Sequence, residues 1–296
     1  MRVFVTGATG FIGMAVTKEL IAAGHQVLGL YRDEAKAAAL ATTGAEPYPG
    51  TLEDLEGLKR GAAACDGVIH LAFNHDFSQF AANCETDRRA ITALGEAVAG
   101  SNKPLLVTSG TAMANSVPGE LATEDGATIS VDIHPRAASE PLALSFVAKG
   151  VAVSIVRLPQ VHDPLRQGLT TPVIAMFREH GFCAYIGEGK NRWPAAHYLD
   201  VARLYRLALE RAEPGAKYHA VAEEGVAMRE IVETIGERLK LPVKSISPEE
   251  APAVFGWMAM FASFDMPASS VQTRAKLGWV PVGPSLIDDL KKLPID

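Results

Sequence analysis

The chain is expected to fold as an α/β protein, a doubly wound parallel sheet with a smaller, interleaved C-terminal lobe, and three observations predict it. Apolar runs too short for helices alternate with amphipathic stretches through the first half, strand periodicity and helix periodicity in turn. The first run, Val3 to Val5, meets Thr6 and Gly7, and an amphipathic pattern carried by Phe11, Ile12, Val16, Leu20 and Ile21 begins at once, which reads as strand, tight turn, helix. With 296 residues and 48% hydrophobic content, the chain can bury a sizeable core, either as one large unit or as a domain plus a lobe.

The opening turn carries evenly spaced glycines, Gly7, Gly10 and Gly13, unlike the uneven spacing of the common dinucleotide fingerprint. Gly7 supplies an unusual backbone dihedral, Gly10 lets the main chain approach a pyrophosphate, and Gly13 lets the new helix lie close on the strand. The helix start then offers unpaired N–H groups to the phosphates. A second strand, His25 to Tyr31, follows, and its carboxyl end is where a ribose-reading residue belongs. Arg32 stands there, followed by Asp33. A carboxylate would bind the ribose hydroxyls of NAD, whereas arginine offers bidentate donors to a 2′-phosphate and a flat face to adenine. NADP is therefore expected over NAD, the alternative being that Arg32 is a solvated charge and Asp33 meets the ribose.

Ala45 to Gly50 reads as a short strand and turn, and Asp66 to Ala72 as the fourth strand, with Ala72 small enough for backbone to lie against a cofactor. His70 reads as a strand-end histidine holding local backbone groups. Phe73, Asn74, His75, Asp76 and Phe77 fall just beyond this strand, where open α/β sheets bind ligands. A helix from Cys84 to Val98 has Ile91, Leu94 and Val98 as its apolar stripe, core or interface. Pro104 to Thr108 is the fifth strand, followed by Ser109, Gly110 and Thr111, whose hydroxyls either face a substrate or cap the next turn. Pro135 predicts a helix start. Val151 to Arg157 is the sixth strand, after which the chain leaves the dinucleotide fold.

Beyond it, Gly168 to Ile186 should hold a helix and a strand, Gly187 to Trp193 a polar loop, and Val201 to Arg211 a helix. Tyr218 to Ala222 reads as a strand rejoining the main sheet, and Met228 to Leu239 as a strongly periodic helix. The apolar, aromatic run from Phe255 to Phe264 is read as lobe core, or else as the lining of a hydrophobic substrate pocket. With neither repeat nor low-complexity linker, the lobes are expected to interleave: residues 1–160 dinucleotide-binding with returns near 197–222, and residues 161–296 the substrate lobe.

Composition narrows the partners. The 28 basic and 34 acidic residues give a formal charge of −6, with no run of lysine or arginine, so neither nucleic acid nor an anionic membrane is expected. No stretch approaches the roughly 18 uninterrupted apolar residues of a membrane span. The first residues lead straight into a core strand, leaving no room for a signal peptide. Cys65, Cys84 and Cys183 are odd in number and far apart, which argues against disulfides and against a zinc site, so no metal is expected and a reducing cytoplasm is the simplest compartment.

The glycine turn resembles that of the extended and atypical short-chain dehydrogenases/reductases. Landmarks in the same order support the likeness: His70-Leu71-Ala72, Val107-Thr108-Ser109, Val156-Arg157-Leu158-Pro159, Val161-His162-Asp163-Pro164, His197 through Ala202, and Leu277 through Pro281. The resemblance implies a Rossmann-type fold and a cofactor site made from Gly7, Thr9, Gly10, Phe11, Ile12, Gly13, Arg32, Leu52, Leu71, Ala72, Thr108, Arg136, Pro159 and Val161. It also implies a homodimer through the helix after the fourth strand. Thr51 stands where the family usually has an adenine-reading aspartate. Gly110 occupies the usual place of the catalytic serine or threonine, leaving Ser109 or Thr111 for that role.

The larger departure concerns the family's Tyr-x-x-x-Lys pattern. Counting back from Glu140 gives Arg136 and Asp132 at the two positions. Arg136 can still hold the nicotinamide ribose, since guanidinium has several donors. Asp132, ionised at neutral pH, is no proton donor, whereas His75, His134 and His162 titrate nearer neutrality. The catalytic candidates are thus Ser109, Thr111, Arg136 and His162. Three readings follow: an NADPH-dependent reductase of a small, largely apolar ketone, aldehyde or imine with an atypical proton donor; a nucleotide-sugar epimerase or dehydratase; and a non-catalytic NADP-binding redox sensor.

Overall fold

In the computed structural model, which describes every residue except Ser116, Pro118 and Asp296, strand and helix alternate through the first half of the chain. The order is β1 (Arg2–Thr6), α1 (Phe11–Ala22), β2 (Gln26–Tyr31), α2 (Glu34–Ala41), β3 (Glu46–Pro49), α3 (Leu55–Ala63), β4 (Gly67–His70), α4 (Phe80–Ala97), β5 (Pro104–Gly110), α5 (Ser139–Ser145) and β6 (Ala152–Leu158). The second half continues with β7 (Gln160–His162), α6 (Thr170–His180), β8 (Cys183–Ile186), β9 (Arg192–His197), α7 (Tyr198–Arg211), β10 (Lys217–His219), β11 (Glu223–Ala227), α8 (Met228–Leu239) and β12 (Val243–Ile246). Short helices α9 (Ala251–Phe255), α10 (Ala259–Ser263), α11 (Val271–Leu277) and α12 (Leu286–Leu290) complete it.

Seven strands form one sheet in the order β10-β6-β5-β4-β1-β2-β3, every neighbouring pair parallel. Parallel strands need helical crossovers, which cover both faces. Alternation along β5 shows the result: Leu106 joins the core under α1 and α7, while Leu105 and Val107 join the core under α3, α4 and α5. This is the expected Rossmann-type fold. After β6 the chain leaves the sheet and comes back with α7, which packs in the same core as α1, and with β10, which pairs with β6.

A second core, around Phe177, Trp193, Ile231, Ile235, Phe255 and Met258, gathers α6, α8 and the short sheets β11-β9-β7 and β12-β8. Met228 to Leu239 is helical over the expected span because its apolar positions, Ile231, Val232 and Ile235, all face this core. The stripe of α4 is core as well, Ile91, Leu94 and Val98 being at most 1% exposed. The run from Phe255 to Phe264 divides by helical period. Phe255, Met258 and Ala262 are buried, while Trp257, Met260 and Phe264 are exposed. All three cysteines are free and buried. Among the described residues no helix is long and apolar enough to cross a membrane.

Two boundaries differ from the sequence reading in ways that matter for the site. Strand β5 runs on to Gly110 because β6 stays paired with it as far as Leu158. Helix α4 begins earlier, at Phe80, directly after a 3-10 turn from Phe77 to Gln79 in which the Ser78 N–H is capped by the Asp76 carboxylate.

Candidate active site

The turn between β1 and α1 has the geometry of an anion cradle. Gly7 sits at φ +71°, and a Cβ there would lie 2.8 Å from the Ala72 nitrogen, so the turn is pressed against the end of β4. A Cβ on Gly13 would lie 2.0 Å from the Gly7 oxygen, which is how closely α1 rests on the turn. Gly10 differs. Its N–H is bonded to the Gly7 carbonyl at 2.9 Å, and a Cβ would meet only that oxygen, at 3.2 Å, leaving the other side open. The unpaired N–H groups at the start of α1 lie beside this opening. The cradle fits a dinucleotide pyrophosphate.

The flanking cofactor candidates arrange themselves around it. Thr9, Phe11, Ile12, Leu71 and Ala72 are partly exposed along its rim. The Phe11 ring lies 5.4 Å from that of Tyr198, nearly parallel, and 5.4 Å from the Arg166 guanidinium. Arg32 is exposed at the end of β2, while the Asp33 carboxylate accepts the Ala35 N–H at 3.0 Å and caps α2. That cap uses one of the two carboxylate oxygens. Thr51 is exposed and bonds locally to the Glu53 N–H, and Leu52 packs partly buried under β2.

At the far end of the cleft, Arg136 is the second residue of a 3-10 turn, Pro135 to Ala138, that leads into α5. Its Nη2 donates to the Thr108 carbonyl at 3.0 Å, its Nη1 lies 2.5 Å from Asp87 Oδ2 as an ion pair, and its guanidinium carbon sits 4.0 Å over the Phe73 ring. Asp87 is wholly buried on α4 and also takes bonds from His70 Nε2 at 3.2 Å and Ser139 Oγ at 2.7 Å. Burial alone raises its pKa, but the His70 bond and the Arg136 charge outweigh burial and hold it at about 2. His70, expected to hold backbone groups, holds side chains instead: Thr6 through Nδ1 at 2.7 Å and Asp87 through Nε2. Asp132 is exposed and bonded to Ser130, away from this network.

Aromatic rings pack together where the loop after β4 meets the C-terminal lobe. Phe77 stacks on Trp257 at 4.4 Å and on Phe80 at 5.7 Å, and Phe261 meets both Phe77 and Trp257 edge-on. Phe73 and His134 reach Phe80 edge-on, and His75 touches Phe73 and Phe77. Burial, and then the Arg136 charge, push the pKa of both His75 and His134 below the usual histidine value.

Residues 3–222 match the model of the NAD dependent epimerase/dehydratase family. The chain belongs to that family. It is 48% identical over 98% of both chains to an uncharacterized protein of Schizosaccharomyces pombe, and 43% identical over 98% of both to one of Saccharomyces cerevisiae. Over 95% of this chain and 91% of the relative it is 26% identical to a UDP-glucose 4-epimerase of Streptomyces lividans. Among solved structures it resembles a dTDP-glucose 4,6-dehydratase of Streptomyces venezuelae with NAD bound, at TM-score 0.78, 20% identity and coverage of 99% and 95%. The human epimerase family protein SDR39U1 with NADPH gives TM-score 0.74 at 21% identity, with 99% of both chains covered.

The family unites NAD(P)-dependent epimerases, dehydratases and reductases. Ser109 is a strand residue because β5 continues to Gly110; it is 7% exposed, beside the Glu140 carboxylate rather than in the cleft. Thr111 is 3% exposed, and its hydroxyl bonds the Leu158 carbonyl at 3.4 Å. Neither caps the turn that follows. His162, a catalytic candidate by sequence, is instead a strand residue of β7, wholly buried, with Nδ1 2.8 Å from Asp289 Oδ2; in this arrangement a substrate does not reach it. Arg157 is also buried, its guanidinium paired with Glu140 at 2.6 and 2.9 Å. Thr108 bonds Tyr205 through its hydroxyl, Pro159 is partly exposed beyond β6, and the Val161 side chain lies in the core.

Sequence reasoning missed Asp87 and the depth of the Arg136 network. A signal was present: Asp87, Ile91, Leu94 and Val98 share one helical face, so a carboxylate sits in the apolar stripe of α4. A charged residue at such a position is buried only if it is paired.

Proposed function

We propose that the protein is an NADPH-dependent reductase of a small, largely apolar aldehyde or ketone, with imines as related substrates, in a branch of the family that works without the usual tyrosine. The observation that carries this reading is the aromatic cluster. Phe73, Phe77, Phe80, Trp257 and Phe261 cluster beyond β4, packed on one another, and the part of this aromatic cluster left exposed favours apolar ligands and gives little grip on a sugar diphosphate. Arg32, exposed beside a capped Asp33, supports NADP over NAD.

When bound, the dinucleotide supplies hydride. The chain's part is to hold and shield. The cradle at Gly7 to Gly13 takes the pyrophosphate, Arg136 donates to the nicotinamide ribose, and the rings exclude bulk water from the reacting carbon. Reduction of a carbonyl would move its π pair to oxygen and leave an alkoxide that needs a proton. With Ser109, Thr111 and His162 buried, and His75 and His134 held neutral at neutral pH, an ordered water delivers that proton and leaves hydroxide for solvent to neutralise. The test is a spectrophotometric screen of NADPH oxidation against small aldehydes, ketones and cyclic imines. Oxidation of NADPH with aromatic or branched aldehydes is the expected result; turnover of nucleotide sugars alone would replace the reading with an epimerase or dehydratase, and tight NADPH binding with no turnover at all would favour a sensor.

A further inference from the structure

We propose that Asp87 is the positioning residue of this site: its buried carboxylate fixes the Arg136 guanidinium at the carboxyl end of β5 and so sets how tightly the dinucleotide is held. The proposal rests on Arg136 being a ribose ligand, as read above.

The carboxylate gathers donors from three other elements. His70 of β4 reaches Oδ1 at 3.2 Å, Ser139 at the start of α5 reaches Oδ2 at 2.7 Å, and Arg136 from the preceding turn lies 2.5 Å from the same oxygen. On its other side His70 meets the Thr6 hydroxyl at 2.7 Å, and that oxygen accepts the Ala72 N–H at 3.3 Å. Thr6 immediately precedes Gly7. One line of bonds therefore runs from the phosphate cradle, through His70 and Asp87, to Arg136.

The pair is lopsided in a telling way. Asp87 is 0% exposed and the Arg136 side chain 12%, so the carboxylate is inside and the guanidinium stands at the cleft edge. A pair serving stability alone gains little from this arrangement, because burying two charges costs about what their attraction returns. A pair serving a ligand gains more. Arginine has a long, flexible side chain, and a ligand that must order it loses affinity; a carboxylate that has already ordered it removes that cost. The Thr108 carbonyl and the Phe73 face complete the clamp from two further sides.

The experiment is a double-substitution cycle on the full chain, read by NADPH dissociation constant from the fluorescence of the bound dinucleotide, with the thermal midpoint of the dinucleotide-free protein as a separate readout. Asp87→Asn keeps the shape and, through its amide oxygen, an acceptor for His70, while the Ser139 hydroxyl must turn to accept from the amide nitrogen; it removes the charge. It should weaken NADPH about tenfold or more, and Arg136→Gln should do the same, while the double variant binds no more weakly than Arg136→Gln alone, as coupled neighbours do. A structural role by itself would move the midpoint and leave the dissociation constant in place. Should Asp87→Asn fail to fold, Ser139→Ala removes one donor and leaves every charge, and about threefold weaker binding is then expected. Unchanged NADPH affinity in the folded Asp87 or Ser139 variant, or losses that multiply in the double variant, would overturn the proposal. If the unaltered protein binds no NADPH, both this inference and the reading beneath it fall together.

Discussion

At the scale of single residues, two side chains carry separable predictions. Replacing Arg32 by alanine should weaken NADP by about 1.5–3 kcal/mol, the loss of one charge-assisted contact, and leave NAD nearly unchanged. Isothermal titration with both dinucleotides checks this, and equal losses for the two would remove Arg32 from the 2′-phosphate. His219 gives a prediction about pH. Burial, and then the charge of Arg157, lower its pKa to about 4, and the geometry agrees: Arg157 Nη1 donates to its Nε2 at 3.1 Å while its Nδ1 donates to the Ser269 carbonyl at 2.8 Å. A proton on Nε2 would face a guanidinium. Between the unfolded value of about 6.5 and the folded one, the unfolded chain binds a proton that the folded chain does not. Stability from this site is therefore complete above about pH 6.5 and is lost as pH falls toward 4. His219→Gln, which can still accept from Arg157 and donate to Ser269, should flatten that acid limb in denaturant titrations; an unchanged limb would mean that other groups set it.

At the scale of elements, the turn between β1 and α1 separates folding from binding. Gly13→Ala drives a methyl to within 2.0 Å of backbone oxygen and should cost about 1–3 kcal/mol of stability by overpacking. Gly10→Ala meets that oxygen only at 3.2 Å, with φ −78° and ψ 174° open to any residue, so the fold should persist while the pyrophosphate loses its approach. Thermal midpoints and NADPH affinity for the two variants decide it: equal damage to both properties in both variants would contradict this account of the turn. The same turn shows what was legible in the sequence. Glycine spacing and apolar periodicity are local signals, so β1, α1, β2, the doubly wound sheet and α8 could be read directly. The ends of β5 could not, because their length depends on pairing with β6, far along the chain, and that pairing is what takes Ser109 into the interior. Arg136 could be read from its spacing to Glu140 as a ribose ligand, but Asp87 was visible only as an odd charge on an apolar stripe, and only the fold brings the two together.

At the scale of the whole molecule, the two lobes meet through aromatic contact, with Phe77 of the sheet's loop stacked on Trp257 of the C-terminal lobe. Trp257 is 46% exposed, so its removal should cost the fold little and the substrate much. Trp257→Ala is expected to raise KM for an apolar aldehyde about tenfold, with a smaller effect on kcat, since uniform binding is what a remote ring contributes. The lowered pKa values of His75 and His134 at the cleft mouth add that the rate should be flat between about pH 7 and 9, with neither of these two titrating in that window. The most direct measurement is the initial rate of NADPH oxidation by the unaltered protein with a series of aldehydes graded from small and polar to aromatic. The account predicts turnover that rises with apolar and aromatic character and that Trp257→Ala selectively weakens. No oxidation across the series by protein that binds NADPH, or a rate indifferent to both ring and substitution, would contradict it.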